Sequence, residues 1–124
     1  MREGWTRVAE IAELMRTNLL EVFGERDPAR RKAAIARTYR PDVRFTDPEE
    51  TVTGHDAIDA KAQGLLDGAP GFAFTPDGEV RVVGDLGYQA WAFGPAGGPP
   101  VARGADIALV EDGVIAALYT VLMA

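Results

Sequence analysis

The apolar residues of this chain follow the three- and four-residue intervals of helices over most of its first 71 residues and the two-residue interval of strands throughout the rest. An apolar stripe from Val8 to Val22 predicts an amphipathic helix within residues 5–23. After residue 71, turns containing glycine or proline separate five strand-like segments, which are 72–75, 79–83, 87–93, 101–111 and 114–123. Helices followed by consecutive antiparallel strands predict an α+β fold with the helices on one face of the sheet.

Two more helices and two short strands are predicted before residue 72. Asp27 is an N-cap and Pro28 a first-turn proline, so a second helix should run to about Thr38, with its charges Arg30, Arg31 and Lys32 solvated. Alternation of Val43, Phe45 and Asp47 predicts a strand, and 51–53 a shorter one. Gly54 leads into a third helix whose inward residues are predicted to be Ile58, Ala62, Leu65 and Leu66.

Composition restricts the class of protein. A chain of 124 residues, 47% of them apolar, suits one domain over residues 1–124. The formal charge of −6 disfavours a nucleic-acid partner, and the absence of cysteine excludes disulfides, a thiolate nucleophile and cysteine metal sites. Charges interrupt the apolar N-terminal region, so neither a signal peptide nor a membrane span is predicted. We expect a cytoplasmic protein that needs no cofactor or metal.

Both faces of the last two strands are apolar, which predicts a partner surface. One alternating set is Ile107, Leu109, Leu118 and Leu122, and the other is Ala108, Val110, Tyr119 and Val121. Three short helices cover only one side of such a sheet, so we expect a homodimer through the outer face. The alternative is a thick core on both sides of the sheet.

The segment from Tyr39 to Ile58, YRPDVRFTDPEETVTGHDAI, resembles the SnoaL-like branch of the nuclear transport factor 2-like superfamily. The family pattern of a tyrosine, an acidic turn, a closing Asp-Pro and a Gly with an Ile four residues later falls on Tyr39, Asp42, Asp47, Pro48, Gly54 and Ile58. The resemblance implies a curved antiparallel sheet that three N-terminal helices wrap into a cone with an internal pocket.

Ketosteroid isomerase is the chemical parallel within that superfamily, and the resemblance places its general base at Asp47. A second family aspartate corresponds to Asp106, which in such an enzyme stays protonated and donates to a developing oxyanion. Asn18 stands where that enzyme has a tyrosine on the first helix, and its amide can also donate a hydrogen bond. The residues expected to bind a substrate are Met15, Tyr39, Phe45, Trp91 and Tyr119.

Each candidate residue also has a structural alternative. Asp47 could be a turn-former that accepts backbone hydrogen bonds. Asp106, which interrupts the apolar segment VARGADIALV, could be paired with Arg81 or Arg103. His55 is predicted to be a solvated helix cap. The acidic cluster of Asp47, Glu49 and Glu50 could bind a hard cation but is predicted to be a solvated turn.

Three functions are compatible with these residues. The first is a small cofactor-free isomerase, cyclase or lyase that uses aspartate acid-base chemistry on a largely apolar carbonyl compound. The second is a non-catalytic module of the same fold that binds a small apolar ligand. The third is a structural dimer with a vestigial pocket. A carboxylate with a perturbed pKa inside the pocket would favour catalysis.

Overall fold

Three helices and a curved, mixed sheet of seven strands that is not closed make up residues 2–123, the part of the chain that the computed structural model describes. The helices are α1 (Arg2–Thr17), α2 (Pro28–Thr38) and α3 (His55–Asp67), and α1 continues directly into a π-helical segment, Asn18–Phe23. The strands are β1 (Tyr39–Thr46), β2 (Thr51–Thr53), β3 (Phe72–Pro76), β4 (Arg81–Val83), β5 (Leu86–Pro95), β6 (Ala102–Glu111) and β7 (Val114–Met123). The predicted α+β cone is confirmed.

The second helix begins as its sequence predicts. The side chain of Asp27 accepts a hydrogen bond from the backbone N–H of Ala29 at 3.1 Å, and Pro28 occupies the first turn. The expectation that Arg31 is solvated is wrong. Its guanidinium is buried against α3, where it forms an ion pair with Asp59 at 2.7 Å and also donates to Gln63. A buried cation needs such partners, so this contact joins α2 to α3.

The sheet differs from the predicted all-antiparallel arrangement at one pairing. Its strand order is β2-β1-β7-β6-β5-β3, and β4 pairs separately with β5. β1 runs parallel to β7, with Phe45 opposite Leu118, whereas the other pairings are antiparallel. The chain between β1 and β7 contains a helix and five strands, which is ample length for a parallel connection.

A bulge in β7 changes which side chains share a face. Val110 lies opposite Ile115, but the next residue, Leu109, pairs with Ala117, so Ala116 is an extra residue. The two alternating sets predicted for the last hairpin are therefore wrong. Leu118 lies opposite Ala108 in the core, while Tyr119 lies opposite Ile107 on the outer face.

The main core lies between the helices and the concave face of the sheet. α1 approaches β5 closely at Gly87, where a Cβ atom would lie 2.8 Å from the side chain of Ile11 and 3.0 Å from that of Met15. Ile58, Ala62 and Leu66 of α3 are buried as predicted, but Leu65 is 39% exposed. None of the helices in the described region has the length and apolar character needed to span a membrane.

Candidate functional site

A cavity of about 780 Å³ opens between α3, the π-helical segment and the concave face of the sheet. Most of its wall is apolar, with Phe23 and Phe45 contributing one aromatic pair and Phe74, Trp91 and Phe93 a second aromatic group. The α3 side is lined partly by small residues, Ala57, Ala60 and Gly64. These lie beside the core stripe of the helix, and their small size leaves room for a ligand.

Asp106 is the buried acid of this cavity. It is only 4% exposed, and three side chains donate hydrogen bonds to it. Asn18 Nδ2 donates to Oδ2 at 2.8 Å, whereas Trp91 Nε1 and Thr120 Oγ1 both donate to Oδ1, at 3.1 and 2.8 Å. Burial raises the pKa of Asp106, although the three donors act in the opposite direction. The alternative prediction, that Asp106 forms a salt bridge with Arg81 or Arg103, is wrong, because its partners are Asn18, Trp91 and Thr120. Arg103 pairs instead with Asp77.

A second layer of polar groups lies behind Asp106. Asn18 is the first residue of the π-helical segment and is fully buried, and the hydroxyl of Tyr39 donates to its Oδ1 at 2.5 Å. Neither side chain lines the cavity. Burial, reinforced by the charge of Asp106, raises the pKa of Tyr39 well above its ordinary value, so the phenol keeps its proton. Asn18 and Tyr39 therefore affect a ligand only indirectly, through their hydrogen bonds to Asp106 and to each other.

Asp47 lines the same cavity at its rim, in the turn after β1. Its Oδ1 accepts hydrogen bonds from the backbone N–H groups of Glu49 and Glu50, and Lys61 donates to its Oδ2 at 2.9 Å. Burial raises the pKa of Asp47, but Lys61 and the two N–H groups outweigh it, so the net pKa is lowered. The carboxyl group is thus held ionised, only 14% exposed, beside the apolar wall.

The acidic cluster at the rim is organised around an ammonium group. Lys61 Nζ lies 2.9 Å from Asp47 and from Glu50 and 3.7 Å from Glu49. Hydrogen bonds to Glu50 and Asp47 raise the pKa of Lys61, so it remains charged. Among the side chains that the structure describes, those of residues 4–123, no group of three acidic or histidine side chains is arranged to hold a metal ion.

The structure brings together most of the residues predicted for the site. Asp47, Phe45, Trp91 and Asp106 line the cavity, and Asn18 and Tyr39 lie behind it. Met15 and Tyr119 lie elsewhere. Met15 packs in the main core and against Gly87, and Tyr119 points away from the cavity because of the β7 bulge. His55 stays at the start of α3, where its Nε2 donates to the carbonyl oxygen of Tyr39.

Sequence analysis missed two polar residues of the site, Thr120 and Lys61. Thr120 is the single residue with an aliphatic hydroxyl in the apolar segment AALYTVL and lies opposite Asp106 in the β6–β7 register. Lys61 follows Ala57 and precedes Leu65 at four-residue spacing, so it belongs to the cavity side of α3. That spacing was a usable signal for Lys61.

Comparison with protein families and solved structures agrees with the fold described above. The family model for the SnoaL-like domain matches residues 17–118. A proposed isomerase of the SnoaL-like family from Agrobacterium tumefaciens is 22% identical with a TM-score of 0.86, covering 94% of this chain and 99% of that one. A proposed SnoaL-like polyketide cyclase from Jannaschia is 17% identical with a TM-score of 0.72, covering 92% and 86%.

A proposed ketosteroid isomerase from Kribbella flavida has the same fold at greater distance. It is 16% identical with a TM-score of 0.64, and the alignment covers 94% of this chain and 79% of that one. At these identities the likeness concerns the fold alone. A search of curated proteins gives no match.

Proposed function

The chain belongs to the SnoaL-like family, and from that premise we propose that its cavity catalyses proton transfer on a largely apolar carbonyl compound, as an isomerase, cyclase or lyase does. The observation that carries the proposal is that two carboxyl groups with opposite pKa shifts line one apolar cavity. Environments that shift the pKa values of two carboxyl groups in opposite directions supply an acid and a base at the same pH.

In the proposed reaction, the ionised Asp47 removes a proton from the carbon next to the substrate carbonyl. The C–H electron pair forms the enolate, and the proton resides on Asp47. Protonated Asp106 donates a hydrogen bond to the developing oxyanion without giving up its proton. Asp47 then returns a proton to the same carbon or to a conjugated one, so atoms and charge balance and no oxidant is needed.

The shape and charge of the cavity support an apolar ligand. Its aromatic walls suit a planar or ring-containing compound, and the polar groups are confined to the buried Asp106 end and the Asp47 rim. Lys61 is already bonded to two carboxylates and offers little to an anionic substrate. The proposed proton transfer uses carboxyl groups alone, so we expect activity to survive exhaustive chelation of metal ions.

Exchange of carbon-bound protons tests the proposal directly. The probe is 2-tetralone, an apolar ketone with acidic C–H groups, incubated in D₂O and followed by proton NMR. We expect the protein to accelerate deuterium incorporation, Asp47→Asn to reduce the rate by about 10² or more, and Asp106→Asn to retain part of it. Asp67→Asn, at the end of α3 and bonded to Gln63, is the matched control.

The alternative is a non-catalytic module that binds a small apolar ligand. It is favoured by the contacts of Asp47, whose two oxygens already accept three hydrogen bonds, as in a structural turn. If 2-tetralone binds but exchanges at the rate found without protein, or if Asp47→Asn exchanges as fast as the wild type, proton abstraction by Asp47 is wrong.

A further inference from the structure

The hydrogen bonds behind Asp106 form a chain with a direction. Tyr39 donates to Asn18 Oδ1, and Asn18 Nδ2 donates to Asp106 Oδ2 at 2.8 Å. All three side chains are buried. An amide has a donor end and an acceptor end, so turning Asn18 over would reverse the chain. Its carbonyl oxygen would then accept a hydrogen bond from protonated Asp106.

The two directions have opposite effects on the Asp106 proton. Oδ1 already accepts hydrogen bonds from Trp91 and Thr120, so a proton on this carboxyl group belongs on Oδ2. In the observed direction, the Asn18 amide group meets Oδ2 as a donor and cannot accept that proton. In the reversed direction, the proton would be held by Asn18, away from the cavity.

Tyr39 disfavours the reversed orientation of the Asn18 amide. Among residues 4–123, whose side chains the structure describes, its hydroxyl has one hydrogen-bond partner, Asn18 Oδ1. Turning the amide would set N–H groups against the phenol oxygen and leave the phenol hydrogen buried without an acceptor, which is costly. Deprotonation does not relieve this, since burial by itself raises the pKa of the phenol and keeps it protonated.

We infer that Tyr39 is a positioning residue, which fixes the orientation of the Asn18 amide so that the proton of Asp106 is available only to a ligand in the cavity. The catalytic consequence rests on the proposed function. The direction of the hydrogen-bond chain does not, and it can be measured without any substrate.

The pKa of Asp106 also depends on the other titratable groups near it. The titratable residues that share its cavity are Asp47, Glu49, Glu50 and Lys61, all at the rim. Behind Asp106, the titratable group is Tyr39 itself. Tyr39→Phe removes a neutral hydroxyl and leaves all of these charges in place, so a change in Asp106 titration reports the lost hydrogen bond.

The test is carboxyl ¹³C NMR titration of Asp106 in the ligand-free protein. In Tyr39→Phe the Asn18 amide is free to turn and stabilise protonated Asp106, so we expect the pKa of Asp106 to rise by about 1. Tyr88→Phe, which removes a hydroxyl from β5 outside the cavity, should leave the pKa unchanged. An unchanged Asp106 pKa in Tyr39→Phe, despite lower stability, would reduce Tyr39 to a packing role.

A double-mutant cycle shows whether Tyr39 acts through the amide. Asn18→Leu removes the donor and should itself raise the pKa of Asp106, and in that background Tyr39→Phe should add nothing. An equal effect of Tyr39→Phe in both backgrounds would overturn the inference. If Tyr39→Phe does not fold, 3-fluorotyrosine at position 39 keeps the hydroxyl and strengthens it as a donor. The pKa of Asp106 should then fall, and a rise would contradict the inference.

The titration and the deuterium exchange fail independently. An Asp106 pKa that responds to Tyr39→Phe, without any exchange of 2-tetralone, would overturn the proposed function and leave the positioning role intact. Exchange that is lost in Asp47→Asn, with an Asp106 pKa indifferent to Tyr39→Phe, would do the reverse.

Discussion

Asp106 and Asp47 contribute to the pH dependence of stability with opposite signs. The pKa of Asp106 is raised by burial, so the folded state binds its proton more tightly than the unfolded chain does. Its stabilising contribution is therefore present at acid pH and lost as pH rises through the folded pKa. The pKa of Asp47 is lowered, so its contribution is present above the unfolded value and lost as pH falls through the folded pKa.

These signs predict different behaviour for the two asparagine variants. Relative to the wild type, Asp106→Asn should gain stability as pH rises from about 4 to 8, because it lacks the buried charge. Asp47→Asn should lose about 1 kcal/mol at neutral pH and approach the wild type in acid, since only the ionised form pairs with Lys61. Urea unfolding at several pH values measures both, and parallel curves for the two variants would refute the assignment of opposite shifts.

At the residue scale, the sequence was most informative where a polar residue interrupts an apolar pattern. Asp106 stands out in this way, and so does Asn18 on the stripe of the first helix. The pattern does not reveal what each polar group bonds to. Lys61, the partner of Asp47, comes from α3 and not from the turn that contains Asp47. The buried Arg31 looks like its solvated neighbours because its partners on α3 are distant in sequence.

At the element scale, the bulge at Ala116 decides which residues of β7 face the cavity. The two-residue turn at Asp112 and Gly113, both with positive φ, pairs Glu111 with Val114. Continued without interruption, that register would set Tyr119 opposite Asp106. The extra residue sets Thr120 there instead. The sequence contains the turn signal but nothing that indicates a bulge at an alanine. Tyr119 is therefore predicted to lie on the cavity face, whereas it lies on the outer face.

Inserting one alanine after Ala116 should therefore destabilise the protein severely. With the bulge kept, the insertion shifts the rest of β7 by one position, which turns Leu118 out of the core and Thr120 away from Asp106. Exposing a fully buried leucine alone costs about 2–3 kcal/mol, and we expect the loss to exceed this. Thermal unfolding followed by circular dichroism measures it. Insertion of one alanine after Gly97, in the exposed loop after β5, is the control, and equal effects of the two insertions would contradict the importance of the β7 register.

The π-helical segment is a second element that the sequence did not distinguish from its surroundings. The apolar spacing predicted one continuous helix, yet the backbone widens at Asn18. This widening lets Asn18 reach Asp106 while Leu19 and Phe23 line the cavity. Residues of ordinary helix propensity occupy the segment, so its geometry comes from the contacts it makes and not from its composition.

At the scale of the whole molecule, we expect a homodimer through the outer face of the sheet. That face carries Tyr119, together with Val121 and Met123, which are 42% and 43% exposed. Sedimentation velocity at micromolar concentration should give the dimer mass, and Val121→Lys should shift the equilibrium to monomer. Asp67→Asn, on α3, should sediment like the wild type. A wild-type monomer would show that this face has no partner of its own kind.

The overall architecture was largely predictable, and the exception has a physical reason. Helix periodicity, the Asp27-Pro28 cap and the alternating strands are local signals, and the family resemblance supplied the cone. The pairing of β1 with β7 is not local. Nothing in either strand indicates that Phe45 lies beside Leu118, and both strands would equally suit an antiparallel neighbour.

The position of β7 between β1 and β6 bears on how the chain folds. The helices and the β6–β7 hairpin join residues that are near in sequence, whereas the β1–β7 pairing requires closure of a long loop. We therefore expect the β1–β7 pairing to form last. Both walls of the cavity depend on that late step, because β1 carries Phe45 and leads to Asp47, and β7 carries Thr120. A chain that has formed its helices but not the β1–β7 pairing has no complete cavity, so a ligand stabilises only the completed fold.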